Sequence, residues 1–434
     1  MRIFNALIAA LIITLPHSAL SNSFKTEKWL TKNGTQVVFY KAMEVPMLDI
    51  SMAFAAGSAY DGNQYGLSAL TARMLNQGNS GKDATTIAEA FADTGAQFNA
   101  ESTRDMIVLN LRTLTSKEAL EQSTKTFAQI INHPDFPDEA FKREKKQQLM
   151  AIEQIQESPD DVANIHLFKT LYQGHPYAHP VNGTRNTLAS INKKQVVDFY
   201  KNYFVANNAV LVIVGAVDSQ QAHQLADQLT QKLPKGHAAA PIPKASQAGN
   251  ERKINIHYPS SQTVVRIGQI GIDHQNPNYF PLIVGNYILG GGALVSQLAV
   301  EVREKRGLTY GVNSQFAPMP GVGPFIISLS TKNDQATNAI DVTQSTLDRF
   351  IKNGPNENEL ESAKKYLKGS FPLSLSSNRN IASLLLSMSF YHLPDNFLDT
   401  YVNRINSVTN EEIKQAFKQQ IIPEKLLLVT VGQS

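Results

Sequence analysis

The 434 residues contain no cysteine. Disulfides, thiolate metal sites and a cysteine nucleophile are therefore excluded together. The motif G-x-S-x-G is absent too, so the strained strand-to-helix turn that carries a hydrolase serine has no candidate. Acidic residues are not gathered into any recognisable catalytic pair. Long runs of one charge are also missing: 40 Lys and Arg stand against 37 Asp and Glu, a formal net charge of +3. An even mixture of that kind argues against nucleic acid as the main partner. Past the N-terminus no segment reaches the ~20 uninterrupted apolar residues of a membrane span, so no stable span is expected in the mature chain. What is present is a globular composition, 42% hydrophobic and 18% charged. The chain is long enough for two domains of about 200 residues each.

The opening MRIFNALIAALIITLPHSALS has one Arg, an apolar run from Phe4 to Leu15, then Pro16 and small residues at Ala19 and Ser21. Its apolar core is too short for ~30 Å of hydrocarbon, which favours a cleavable secretory signal over 1–21 against an uncleaved anchor. Export without cysteine points to the periplasm of a Gram-negative cell. After it, Gln36 to Tyr40 and Met47 to Phe54 are apolar, β-branched and partly alternating, and read as strands. A small, Gly-rich loop from Ala55 to Gln64 feeds Gly66 to Gly78, GLSALTARMLNQG, in which Leu67, Leu70, Thr71, Met74 and Leu75 recur at helical spacing. Ala69, Ala72 and Arg73 occupy the other face.

Thr85 caps a short helix to Asp93, and Gln97 to Arg112 alternates as strand. Phe141 to Gln156 is a charged helix with Phe141, Leu149, Ile152 and Ile155 toward a core. Ser190 starts a helix through Val196, Val197 and Tyr200, and the apolar strand Ala209 to Val214 follows. From Leu233 the run LPKGHAAAPIPKASQAGN has no apolar period and reads as a linker, 234–250. Beyond it the order of strand, loop and helix returns in Val264 to Ile272, a loop with Pro277, and Tyr279 to Leu289. Lys425 to Val431 is the counterpart of Ala209 to Val214. A duplicated α+β unit is the economical reading, with domains over 22–233 and 251–434.

Leu289 to Val312 reads LGGGALVSQLAVEVREKRGLTYGV. Val295, Leu298, Ala299 and Val302 predict the buried face of a helix that Gly307 ends in a left-handed cap, after which Leu308, Tyr310 and Val312 alternate as a strand. Reversal at Gly307 brings the Arg303 guanidinium and the Tyr310 phenol side by side. From position alone these two are a solvated helix end and a core tyrosine, and Gly290, Gly291 and Gly292 are a tight turn between helices. His175 and His179 are four residues apart, but neighbouring prolines prevent them from presenting one helical face to a metal. Structural or solvent-facing roles are expected for both.

Several of these segments resemble the pitrilysin/insulinase-type metallopeptidases. Gly66, Leu67, Leu70, Met74 and Gly78 hold the frame of that family's zinc helix, G-L-A-H-F-L-E-H-M-x-x-x-G, while Ala69, Ala72 and Arg73 stand where it has His, Glu and His. In the family, two imidazoles at i and i+4 grip zinc, and the Glu between them is general base to the bound water. A methyl group offers no lone pair, and a guanidinium repels a cation. The family's third ligand is a Glu ahead of a D-x-P-type break, here Glu157 to Pro159. That position falls near Met150 to Ile152, where no carboxylate stands, and Glu153 is off by a rotation of ~100–300°. Gly174 to Asp218 resembles the family's HPY…GT…I…FY…Y-x-P-x-N-x-x-L-x-x-x-G-D-x-D stretch. Leu289 to Val312 resembles its G-G-G…S-R-L…V-R-E-x-x-G-L-x-Y motif, extending to S-L-x-T-K-N-D at Ser328 to Asp334, with Gln297 where Arg is frequent.

The resemblance implies a processing-peptidase-like fold of two homologous domains, each a mostly antiparallel sheet with helices packed on one side. It also implies that Arg303 and Tyr310 hold a substrate carbonyl, since two fixed donors aimed at a developing oxyanion bind it more tightly as it forms. Gly290 to Gly292 then lie near a substrate entrance. In one branch of the family, similar to mitochondrial processing peptidase alpha-type subunits, a chain without zinc supplies the Arg/Tyr pair to a homologous zinc-bearing subunit. On that pattern this chain holds no cofactor, and zinc sits in the partner of a heterodimer. The chain alone could also pair with itself as a homodimer, and the substrate is an unfolded peptide. A non-enzymatic binding or scaffold protein that keeps the shell, like the family's core subunits of a respiratory complex, is the competing reading.

Overall fold

The computed structural model describes residues 24–246, 249 and 251–433, and the signal expected over 1–21 lies outside the described residues. In the first half, β1 (Glu27–Leu30), β2 (Gln36–Lys41), β3 (Met47–Phe54), β4 (Gln97–Ser102), β5 (Ile107–Leu114) and β6 (Ala209–Gly215) form a sheet in the order β1-β2-β6-β3-β5-β4. In the second, β7 (Lys253–His257), β8 (Gln262–Ile270), β9 (Val312–Phe316), β10 (Pro324–Lys332) and β11 (Leu427–Gly432) take the order β9-β10-β8-β11-β7. Reversed, this matches β2-β6-β3-β5-β4. The parallel pairing falls at the same place in each sheet, β2 with β6 and β7 with β11. The other pairings within these sheets are antiparallel. The duplication read from the strand, loop and helix order is thus a duplication of topology.

Local chemistry shifts several expected boundaries. The run from Gln97 to Arg112 is two strands, because Thr103 N donates to the Met106 carbonyl (2.8 Å) and turns β4 back along β5. Asp83, not Thr85, caps the helix Ala84–Ala92, its carboxylate accepting from Thr86 N (2.8 Å). Ser190 closes a short helix, and Asn192 caps the one that follows. The segment 234–246 forms no helix or strand. It is tied down where it leaves the first half: Ala206 N and Asn207 N donate to the Pro234 and Lys235 carbonyls (2.8 and 3.0 Å). It is tied again at the second half, where Ala245 N donates to the Gly321 carbonyl (2.9 Å).

Alternation along the strands sends side chains to two different cores. Val37, Phe39, Ile50, Met52, Leu211 and Ile213 enter the core formed with the first half's own helices, including α1 (Leu67–Met74) and α2 (Asp138–Ile155). On the second sheet, Val264, Ile326, Leu427, Val429 and Val431 face α3 (Pro159–Leu171), a helix of the first half. Arg266 of β8 anchors it: its Nε donates to Asn164 Oδ1 (2.9 Å) and its Nη2 pairs with Asp160. The exchange is reciprocal. Val38, Ala53, Val210, Val212 and Val214 of the first sheet are covered by α4 (Asn378–Phe390) of the second half. Each sheet therefore has its own helices on one face and a single borrowed helix on the other. Among the described residues no helix is long and apolar enough to cross a membrane.

Candidate functional site

Helix α1 is placed by Asp61, whose carboxylate accepts from Gly66 N and Ser68 N, both at 2.7 Å, at the helix start. Ala69, at the first imidazole position of the family frame, and Ala72, at the position of its general base, are both buried methyl groups. Arg73, in the last turn, reaches across to α2. There its Nε lies 3.4 Å from Glu144 Oε2, and its Nη2 donates to Gln147 Oε1 (3.0 Å). Arg143 approaches the other oxygen of Glu144, also at 3.4 Å. Met150 is exposed, Ile152 is buried apolar, and Glu153 is drawn outward by Arg185. No lone pair is therefore offered at any of the three zinc-ligand positions, and the charge that occupies the place is positive. These residues do not fit zinc. Among the described residues no group of three or more His, Cys, Asp and Glu could hold a metal elsewhere.

Glu144 is the residue that inspection around Met150 to Ile152 passes over. The signal for it is present in the sequence: Ala140, Glu144, Gln148 and Ile152 recur every four residues, and all four are buried. A carboxylate in that series is a carboxylate at a core position, and such a group requires a partner.

The second half carries a different arrangement. Leu298, Ala299 and Val302 are buried as expected, but Leu294 and Val295 are 61% and 74% exposed, because they sit in a separate turn before the helical segment. That segment, Ala299–Glu304, is wound as a wide π turn. It closes at Gly307, which has φ +62°. Gly307 N donates to the Arg303 carbonyl (2.9 Å) and Leu308 N to the Val302 carbonyl (3.0 Å). Tyr310 lies in a bend ahead of β9 instead of on a strand, and its ring is 91% exposed. It is not a core tyrosine. Arg303 and Tyr310 line one groove of about 820 Å³, together with Asp160, Asn164 and Arg266. Neither side chain makes a hydrogen bond or ion pair among the described residues.

Gly290 and Gly291 line the same groove, whereas Gly292 does not. Gly290 also has a packing role. A Cβ there would lie 2.4 Å from Ser314 Oγ and 2.6 Å from Ser314 N, so only glycine lets this turn approach β9. Gln297 donates to Glu359 Oε1 (2.9 Å) and takes no part in the groove. His175 and His179 are structural, as expected. The first contacts the Pro243 carbonyl (2.7 Å), and the second is buried with its ring stacked on Tyr65 (4.1 Å).

Comparison with known proteins agrees with this geometry on the level of the family. Residues 37–185 match the family model described as Insulinase (Peptidase family M16), and residues 190–367 match the one described as Peptidase M16 inactive domain. A crystal structure titled as a peptidase M16 inactive domain from Pseudomonas fluorescens is 37% identical and superposes with a TM-score of 0.91, over 94% of this chain and 98% of that one. An uncharacterized zinc protease YmxG from Bacillus subtilis is 25% identical over 94% of this chain and 98% of its own length. A non-peptidase homolog YmxG from Helicobacter pylori is 26% identical over 92% of each.

Proposed function

Since this chain belongs to peptidase family M16, the insulinase family, we propose that it is the zinc-free subunit of a two-chain metalloendopeptidase in the periplasm. It docks on a homologous zinc-bearing chain and supplies Arg303 and Tyr310 to that chain's zinc site. The observation that carries this reading is the state of those two side chains. They share a groove, one ring is almost fully in solvent, and neither has a partner among the described residues. A guanidinium and a phenol that serve the fold would be packed or paired. Held by Gly307 and β9 but left unpaired, they are donors ready for an oxyanion that develops on a bound peptide. Gly290 and Gly291 line the groove along which that peptide would pass.

In this reading the chain's own residues bind and orient the substrate carbonyl, while the partner's zinc supplies the activated water. The test is cleavage of a quenched fluorescent peptide by this chain, by a zinc-motif homologue from the same cell, and by the two mixed. Activity that appears only on mixing, and is lost with a chelator, supports the shared site. The name of the Helicobacter relative favours a second reading, a binding or scaffold protein that keeps the peptidase shell. No gain on mixing would select it.

A further inference from the structure

A second cavity, of about 570 Å³, lies where the two halves and the segment 234–246 meet. Tyr60 and Asp105 line it from the first half, Ile242 from the connecting segment, and His274, Phe390 and Tyr391 from the second. Its volume is that of a small-ligand pocket, and its pattern is the usual one of apolar walls around a few convergent polar groups.

The acidic charge of Asp105 in its lining is not balanced by an ion pair among the described residues. Asp105 is buried and accepts from the hydroxyls of Tyr177 (2.6 Å) and Tyr391 (3.1 Å). A carboxylate has about four lone-pair sites, so two phenols leave it with capacity for further donors. No Lys or Arg lies within ion-pair distance of it among the described residues. Arg104, the neighbour before it in the chain, is close enough for its charge to favour the Asp105 carboxylate but makes no ion pair with it: its Nη1 donates to the His179 carbonyl (2.8 Å), and its guanidinium lies 4.0 Å from the Phe168 ring centre. Lys244, the basic residue of the lining, is paired with Asp273. The Tyr60 hydroxyl has no hydrogen-bond partner among the described residues, and His274 has none at either nitrogen, its ring stacking on Tyr391 at 4.0 Å. Burial pushes the Asp105 carboxyl up, and it also pushes the Tyr60 hydroxyl up to about 12, with Asp105 adding to the effect. A cation at this place would relieve both.

We propose that this cavity binds a small organic cation, an amine or guanidine on a short aliphatic stem, with its charged end on Asp105 and Tyr60 and its stem among Ile242, Phe390 and Tyr391. The aromatic faces add cation–π attraction to the hydrogen bonds. Because the walls come from both halves, the ligand would also clamp them together. Such a cation is either a free amine or a lysine side chain of a peptide.

Isothermal titration of the purified chain with pentylamine, agmatine, pentanol and the peptide acetyl-Ala-Lys-Ala-amide tests this. Pentylamine or agmatine is expected to bind saturably at one site, with pentanol at least about tenfold weaker, the loss expected for one charge-assisted hydrogen bond. Asp105→Asn is expected to weaken the amine by a similar factor, and Tyr60→Phe by less. Peptide affinity equal to that of pentylamine assigns the source to a lysine side chain, and much weaker affinity assigns it to a free amine. Absence of saturable binding by either cation overturns the proposal, as does equal binding of pentanol or unchanged affinity in Asp105→Asn. Should that variant fail to fold by circular dichroism, unchanged affinity in Tyr60→Phe has the same force.

Discussion

Beside Glu144, the Arg73 guanidinium supplies the positive charge that a buried carboxylate demands, at a helix position where the family frame has a metal ligand. Removing it leaves Arg143 as the remaining ion-pair partner of Glu144. Arg73→Leu should therefore lower the unfolding free energy by about 1–3 kcal/mol, the cost of a poorly compensated buried polar group. Glu144→Gln in the same background should recover most of it. Urea titration of the single and double variants checks both. Arg303 behaves oppositely. Since it has no partner, Arg303→Ala should leave the melting temperature unchanged, while kcat of the mixed peptidase falls ~10²–10³-fold, the loss typical of one oxyanion donor. Burial pushes His274 from its ordinary 6.5 down to about 4 against the weaker pull of Asp273. The unfolded chain takes up this proton as pH falls through 6.5 and the folded chain does not. The stability linked to His274 is thus present above 6.5 and lost towards pH 4. His274→Phe, which keeps the stack on Tyr391, should flatten that part of a melting-temperature profile. Arg303 and Tyr310 became candidates only through the resemblance of the segment around Gly307 to the family motif, since from position alone they read as a solvated helix end and a core tyrosine. That they stand free was not legible, because periodicity records neighbours along the chain and never the absence of a partner across space.

Among the elements, the turn from Tyr287 to Gly292 leaves little room for a side chain. Gly290→Ala would drive a methyl group into Ser314, including its backbone nitrogen, and should cost about 1–3 kcal/mol as overpacking does. A thermal melt measures it, and an unchanged melting temperature would mean that β9 yields. The strand, loop and helix order of both halves could be read from apolar spacing alone, since a buried face leaves the same period wherever it occurs. The wide turn at Ala299–Glu304 could not, because a π turn alters the angle per residue on which that reading depends. Val295, in register with Leu298 and Val302 on an ideal helix, points into solvent for another reason: it belongs to a separate turn that ends in an extended Ser296, ahead of the helical segment. The same limit hid Glu144, where one polar residue in a buried series looks like an interruption of the pattern until the facing helix is seen.

For the molecule as a whole, the borrowed helices decide what counts as a folding unit. Val38, Val210, Val212 and Val214 each lose water contact to α4, and full burial of a valine is worth ~1.5–3 kcal/mol. Their sum is comparable with the ~5–15 kcal/mol that stabilises a typical protein. Cutting the chain within 234–250 should therefore leave two fragments that co-elute on size exclusion and unfold in a single transition. Fragments that separate, or a transition that splits, would show that the exchange is weaker than the buried faces suggest. Sequence periodicity announced that the residues of α3 and α4 are buried, and it could not say against which sheet.

The exchange also fixes an order of events during synthesis. The last strand of the first sheet, β6, ends at Gly215, while the helix that covers its outer face begins only at Asn378. A growing chain thus completes a sheet whose valine-lined face has nothing to close it until nearly the whole sequence has emerged. Vectorial, domain-by-domain folding would leave that face open to other chains until its own C-terminal half arrives.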